Sequence, residues 1–80
     1  MSFIIDVYFR SPADPDKEKA LTQRVAALGG RLDYRESPQS AANGSICLTF
    51  EFGRRDEAEA AARALREQGE HVEGPQDYGE

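Results

Sequence analysis

The chain contains no tryptophan, one methionine, one histidine and one cysteine, and each scarcity excludes something. One cysteine cannot close an internal disulfide. One cysteine with one histidine also falls short of the three or four converging ligands that zinc takes. No apolar run approaches the roughly 20 residues of a membrane-spanning helix, and the stretch Phe3-Ile4-Ile5 is cut short by Asp6. The first residues carry neither the basic segment nor the apolar core of a secretory leader. A cytoplasmic protein with no membrane contact is therefore the expectation. The P-loop, GxGxxG, HExxH, CxxC and GxSxG patterns are all absent, so none of the motif-borne phosphate, zinc, redox or acyl-transfer chemistries has its signature here.

Basic residues are missing from one end. Residues 1–66 hold ten acidic and ten basic side chains, whereas residues 67–80 hold Glu67, Glu70, Glu73, Asp77 and Glu80 with no lysine or arginine, which accounts for the net charge of -5. An acidic end without a basic stripe elsewhere repels phosphate, so nucleic acid is not an expected partner. Such an end either keeps the protein soluble or docks on something.

What is present suits one small domain. Eighty residues, 39% apolar and 31% charged with a mean hydropathy of -0.69, are too few to divide into two cores. Phe3 to Arg10 alternates Phe3, Ile5, Val7, Phe9 against Ile4, Asp6, Tyr8, Arg10, the period of a half-buried strand. After a turn at residues 11–15, with Asp14 as the expected cap and Pro15 in the first helical turn, Leu21, Val25 and Leu28 form one helical stripe that Gly29 ends. Arg31 to Glu36 reads as a strand with Leu32 and Tyr34 inward and Arg31, Asp33, Arg35 outward. Residues 37–44 read as a long loop. Ser45 to Phe52 alternates cleanly, with Ile46, Leu48, Phe50 and Phe52 on one face and Cys47, Thr49 and Glu51 on the other. A second helix from about Arg54 to Gln68 buries Ala58, Ala61, Ala62 and Leu65. His71-Val72-Glu73 makes a short last strand, and Gly74-Pro75 is expected to end pairing.

A faint repeat at an offset of 40 relates Leu21 to Ala61, Val25 to Leu65, Gly29 to Gly69 and Leu32 to Val72. Two strand-helix-strand halves with right-handed crossovers interleave. The fold class is therefore α+β, a ferredoxin-like βαββαβ plait whose four-stranded antiparallel sheet runs in the order 4-1-3-2 with both helices on one face. The domain is expected to span 1–74, and 75–80 to form an acidic, mobile tail.

A sheet covered on one side leaves the other face open, and the candidate interaction surface lies there: Asp6, Tyr8, Arg10, Arg31, Arg35, Glu51, His71 and Glu73, joined by Asp77 and Tyr78 from the tail. Cys47 and His71 share this face, but the first strand separates them by about 10 Å, too far for a working pair. His71 is placed to meet Tyr8 or Asp6. No catalytic, cofactor-binding or metal-ligating residue is assigned.

Three known families share this plait. Asn43 to Phe50 lies where RNA-recognition domains carry their third-strand motif, but the base-stacking positions there are Ser45 and Cys47. Val7-Tyr8-Phe9-Arg10 resembles the first-strand segment of acylphosphatases, yet the following Ser11-Pro12-Ala13-Asp14-Pro15 has no glycine and two residues without N–H groups to hold phosphate. Ligand sensors of the ACT type are similar in topology but carry a glycine at the first strand-to-helix turn that is absent here. The resulting expectation is a non-catalytic protein-interaction or regulatory module acting through the open sheet face, a sheet edge or the acidic tail, with an unidentified protein partner. The alternative is an ACT-like small-molecule sensor working as a homodimer. An acylphosphatase-like enzyme and an RNA-binding module are minor alternatives.

Overall fold

The computed structural model describes residues 2–10, 15–36 and 45–78. The Asp14 cap, the turn before it and the 37–44 loop fall outside these residues. Six elements follow in the order β1 (Ser2–Arg10), α1 (Pro15–Ala27), β2 (Gly30–Glu36), β3 (Ser45–Phe52), α2 (Arg55–Glu67) and β4 (His71–Tyr78). All strand pairs are antiparallel, in the spatial order β2-β3-β1-β4, so the ferredoxin-like plait is the fold.

The core lies between the sheet and one helical layer. Ile5 and Val7 of β1, Ile46, Leu48, Phe50 and Phe52 of β3, and Val72 of β4 meet Leu21 and Val25 of α1 and Ala58, Ala61, Ala62 and Leu65 of α2. The alanines of α2 keep that helix close against the sheet. Asp16 and Glu18 at the start of α1 and Arg24 at its end suit the helix dipole. Both helices close on a left-handed glycine, Gly29 with φ 99° and Gly69 with φ 95°, so the repeat extends to the helix ends. Where β2 begins, Gly30 leaves room that the core uses: a Cβ there would stand 2.5 Å from the Phe52 ring and 2.7 Å from Val25 Cγ1.

Two expectations fail, both at sheet edges. Leu32 and Tyr34 do not both face inward, being 40% and 62% exposed. A bulge between them interrupts the period of two: Leu32 stands opposite Phe50, but Tyr34 stands opposite Thr49 and Arg35 opposite Leu48. Tyr34 thus joins the open face. Arg35 passes to the helix side, where its Nε and Nη2 donate to Glu18 of α1 at 2.6 and 3.0 Å.

Pairing also does not stop at Gly74-Pro75. A bulge between Ile4 and Asp6 absorbs these two residues, after which Gln76, Asp77 and Tyr78 pair opposite Ile4, Phe3 and Ser2. Residues 75–78 therefore belong to the sheet rather than to a tail, and 79–80 lie outside the described residues. From α2, Arg66 Nη2 donates to the carbonyl oxygens of Val72 and Gly74 at 3.0 and 2.9 Å. β4 is thereby fastened to the second helix.

Candidate interaction surface

β1 is the spine of the open face because it is a central strand. Burying Ile5 and Val7 completely on the helix side turns Ile4, Asp6 and Tyr8 the other way. The register then fixes their neighbours. Asp6 stands opposite Thr49 on β3 and Glu73 on β4, and Tyr8 opposite Cys47 and His71.

The contacts follow from that grid. Thr49 Oγ1 donates to Asp6 Oδ1 at 2.6 Å, and the Cys47 thiol lies 3.8 Å from the same oxygen. The Tyr8 and His71 rings meet edge to face with centroids 5.7 Å apart, as their adjacent strands led one to expect. His71 Nε2 lies 3.5 Å from Glu73 Oε2. Towards β2, Arg31 Nε donates to Glu51 Oε1 at 2.9 Å, and this contact holds the Glu51 carboxyl below its ordinary range, helped by Ser2.

Electrostatically the centre of the face is negative. Burial pushes the Tyr8 phenol up to about 12, with the charges of Cys47, Asp6 and Glu73 adding to it. Burial, reinforced by Asp6, likewise pushes the Cys47 thiol up. A thiol kept protonated beside a carboxylate is a poor nucleophile, and β1 stands between its strand and that of His71. Among the described residues no group of three or more His, Cys, Asp or Glu side chains is arranged to hold a metal ion. No helix among them is long and apolar enough to cross a membrane.

Of the ten candidate residues, Asp6, Tyr8, Arg31, Glu51, His71 and Glu73 lie together on this face. Arg35 does not, being paired with Glu18. Arg10 occupies the end of β1, opposite Ser45. Tyr78 closes β4 opposite Ser2, and Asp77, opposite Phe3, is on the helix side of the sheet. Two contributors were not among the candidates. Thr49 was already turned to this face by the alternation of β3, and its bond to Asp6 adds it to the surface. Tyr34 gave no signal, because it reaches the face only through the bulge.

Fold and surface together define a two-layer α+β plait with a polar, aromatic-centred open sheet face. The chain matches no protein-family model, no curated protein and no solved structure. The chemistry of the surface itself therefore carries the functional reading.

Proposed function

We propose that the chain is a non-catalytic protein-interaction module that docks a basic segment of a partner protein on its open sheet face, around Tyr8. The observation that carries this reading is the pair Asp6 and Glu73, two carboxylates directly opposite each other across β1 and β4. Like charges in that relation destabilise a sheet. Among the described residues no lysine or arginine is ion-paired to either: Asp6 accepts from Thr49, and Glu73 lies beside His71. An incoming ammonium or guanidinium relieves the repulsion and rests against the Tyr8 ring, where a cation is attracted by the π face. Burial raises the Tyr8 phenol and the Cys47 thiol, and the Asp6 charge adds to both shifts, as a locally negative field does.

The test is an amide-shift titration of the isotope-labelled chain with a short arginine-rich peptide. Saturable shifts are expected at Asp6, Tyr8, Cys47, His71 and Glu73, weakening with salt, and Glu73→Lys abolishes them. Shifts confined to other residues, or binding unchanged in Glu73→Lys, overturn the reading. Saturable shifts of the same residues with single-stranded RNA and none with the peptide replace it by the RNA-binding alternative.

A further inference from the structure

In the middle of the open face β3 carries two small side chains, Cys47 and Thr49, and the strands on either side of it set the same two residue types beside them. On β1 these are Asp6 and Tyr8, opposite Thr49 and Cys47. On β2 they are Tyr34 and Glu36, opposite the same Thr49 and Cys47. The bulge of β2 brings the second pair to this face and turns Arg35 away to Glu18 on the helix side. Uninterrupted alternation would present Arg31, Asp33 and Arg35 here, so the bulge exchanges a guanidinium for a phenol and a carboxylate. Bulges re-aim side chains in this way at functional sites. Tyr34 is 62% exposed, and among the described residues no lysine or arginine is ion-paired to Glu36.

We infer that Tyr34 and Glu36 form a second cation subsite on the open face, so that the basic segment docks with two side chains, one against Tyr8 and one against Tyr34. The inference rests on the open-face reading and adds to it the spacing of the partner's charges. Tyr8 and Tyr34 lie two strands apart, and their partners on β3, Cys47 and Thr49, are two residues apart, which separates the two tyrosines by roughly 12 Å at the backbone. In an extended segment, residues four apart are about 13 Å from each other and point to the same side. Adjacent residues point to opposite sides, so one of them must turn away from the sheet. The occupant is therefore an extended segment with basic residues four apart. Carboxylates stand at both ends of its path, Asp6 and Glu73 by Tyr8 and Glu36 by Tyr34. Arg31, also on this face, is engaged by Glu51 and does not neutralise them.

The experiment is an amide-shift titration of the full chain with three short Ser/Gly peptides of blocked ends, carrying one arginine, two adjacent arginines, or two arginines four residues apart. The single arginine is expected at Tyr8, where there are two carboxylates. The spaced pair should bind roughly tenfold more tightly than the single arginine and add saturable shifts at Tyr34 and Glu36. The adjacent pair, of equal charge, should gain less and leave Tyr34 unshifted. Tyr34→Ala is expected to bring the spaced peptide down to the affinity of the single one without changing the latter. Should that variant melt early, Glu36→Gln, which keeps the size of the side chain, gives a smaller loss for the spaced peptide. Equal affinity of the spaced and adjacent peptides, or no shift at Tyr34 and Glu36 with the spaced one, overturns the inference. The reading around Tyr8 survives that result if the single-arginine peptide still shifts Asp6, Tyr8 and Glu73. Indifference of the spaced peptide to both Tyr34→Ala and Glu36→Gln overturns the inference equally. No shift on the face with any of the three peptides overturns both.

Discussion

The strand-helix-strand half that ends in β4 is built more tightly than the half that ends in β2, although the two are related by the same 40-residue offset. In the second half α2 buries four residues completely, Ala58, Ala61, Ala62 and Leu65, and holds its edge strand through Arg66. In the first half α1 buries Leu21 and Val25, and its Glu18 is ion-paired with Arg35 of β2. The difference follows the residues at equivalent positions. Ala61 and Ala62 stand where α1 has Leu21 and Thr22, and Arg66, which reaches the β4 carbonyls, stands where α1 has Ala26.

The most severe way to probe that contrast is to remove what both halves share. Phe50 is fully buried and stands opposite Ile5 and Leu32. Phe50→Ala is expected to cost about 3 to 5 kcal/mol, comparable with the whole stability of a domain this small, about 5 kcal/mol. A denaturant melt should show one transition lost at once; two separate transitions would mean that the halves fold independently. Next in size is deletion of residues 76–80, which removes the pairs Ile4–Gln76, Phe3–Asp77 and Ser2–Tyr78. The melting temperature should fall by several degrees, and an unchanged value would show that the second half needs only the strand up to Gly74.

Arg66→Ala acts on one half only. Losing its bonds to Val72 and Gly74 should cost about 1 kcal/mol and speed amide exchange in β4, leaving β2 untouched. Equal acceleration in both edge strands would erase the asymmetry. The last effect concerns Tyr8 on β1, the strand between β3 and β4, and is felt only at alkaline pH. Its phenol is raised from 10.0 to about 12, so the folded state keeps a proton that the unfolded chain releases. The stability this contributes is complete below pH 10 and disappears as pH rises to about 12. An absorbance titration should show a tyrosine step at about pH 12. Tyr8→Phe should remove that step and flatten the stability profile in the same window.

β1, β3 and α2 were legible in the sequence because each is regular from end to end: one period, one face, no interruption. The strand order followed from crossover handedness, and the meeting of Tyr8 with His71 followed from the order. What misled is confined to the two bulges. Counting by twos through Arg31, Asp33 and Arg35 assigns all three one face, but an extra residue at the bulge reverses the count, so Tyr34 gains the face that Arg35 loses. A glycine followed by a proline reads locally as the end of a strand. It served instead as a bulge, because Gln76 and Tyr78 found partners on β1 once the irregularity was passed. Period and turn chemistry are local, whereas a bulge is decided by the strand alongside.

Gly30 marks a point where the absence of a side chain is itself a packed feature. The Phe52 ring fills the space that any Cβ would need, so the smallest substitution there must displace an aromatic ring from the core. In a library of all single substitutions Gly30 is thus a size filter that rejects even alanine, at a strand start that composition alone would rank among the tolerant sites. The residue 40 positions on is Glu70, ion-paired to Lys17 at 3.2 Å, where bulk is welcome. Two sites related by the 40-residue offset are in this way subject to opposite constraints, and giving the first half the glutamate of the second would displace the Phe52 ring.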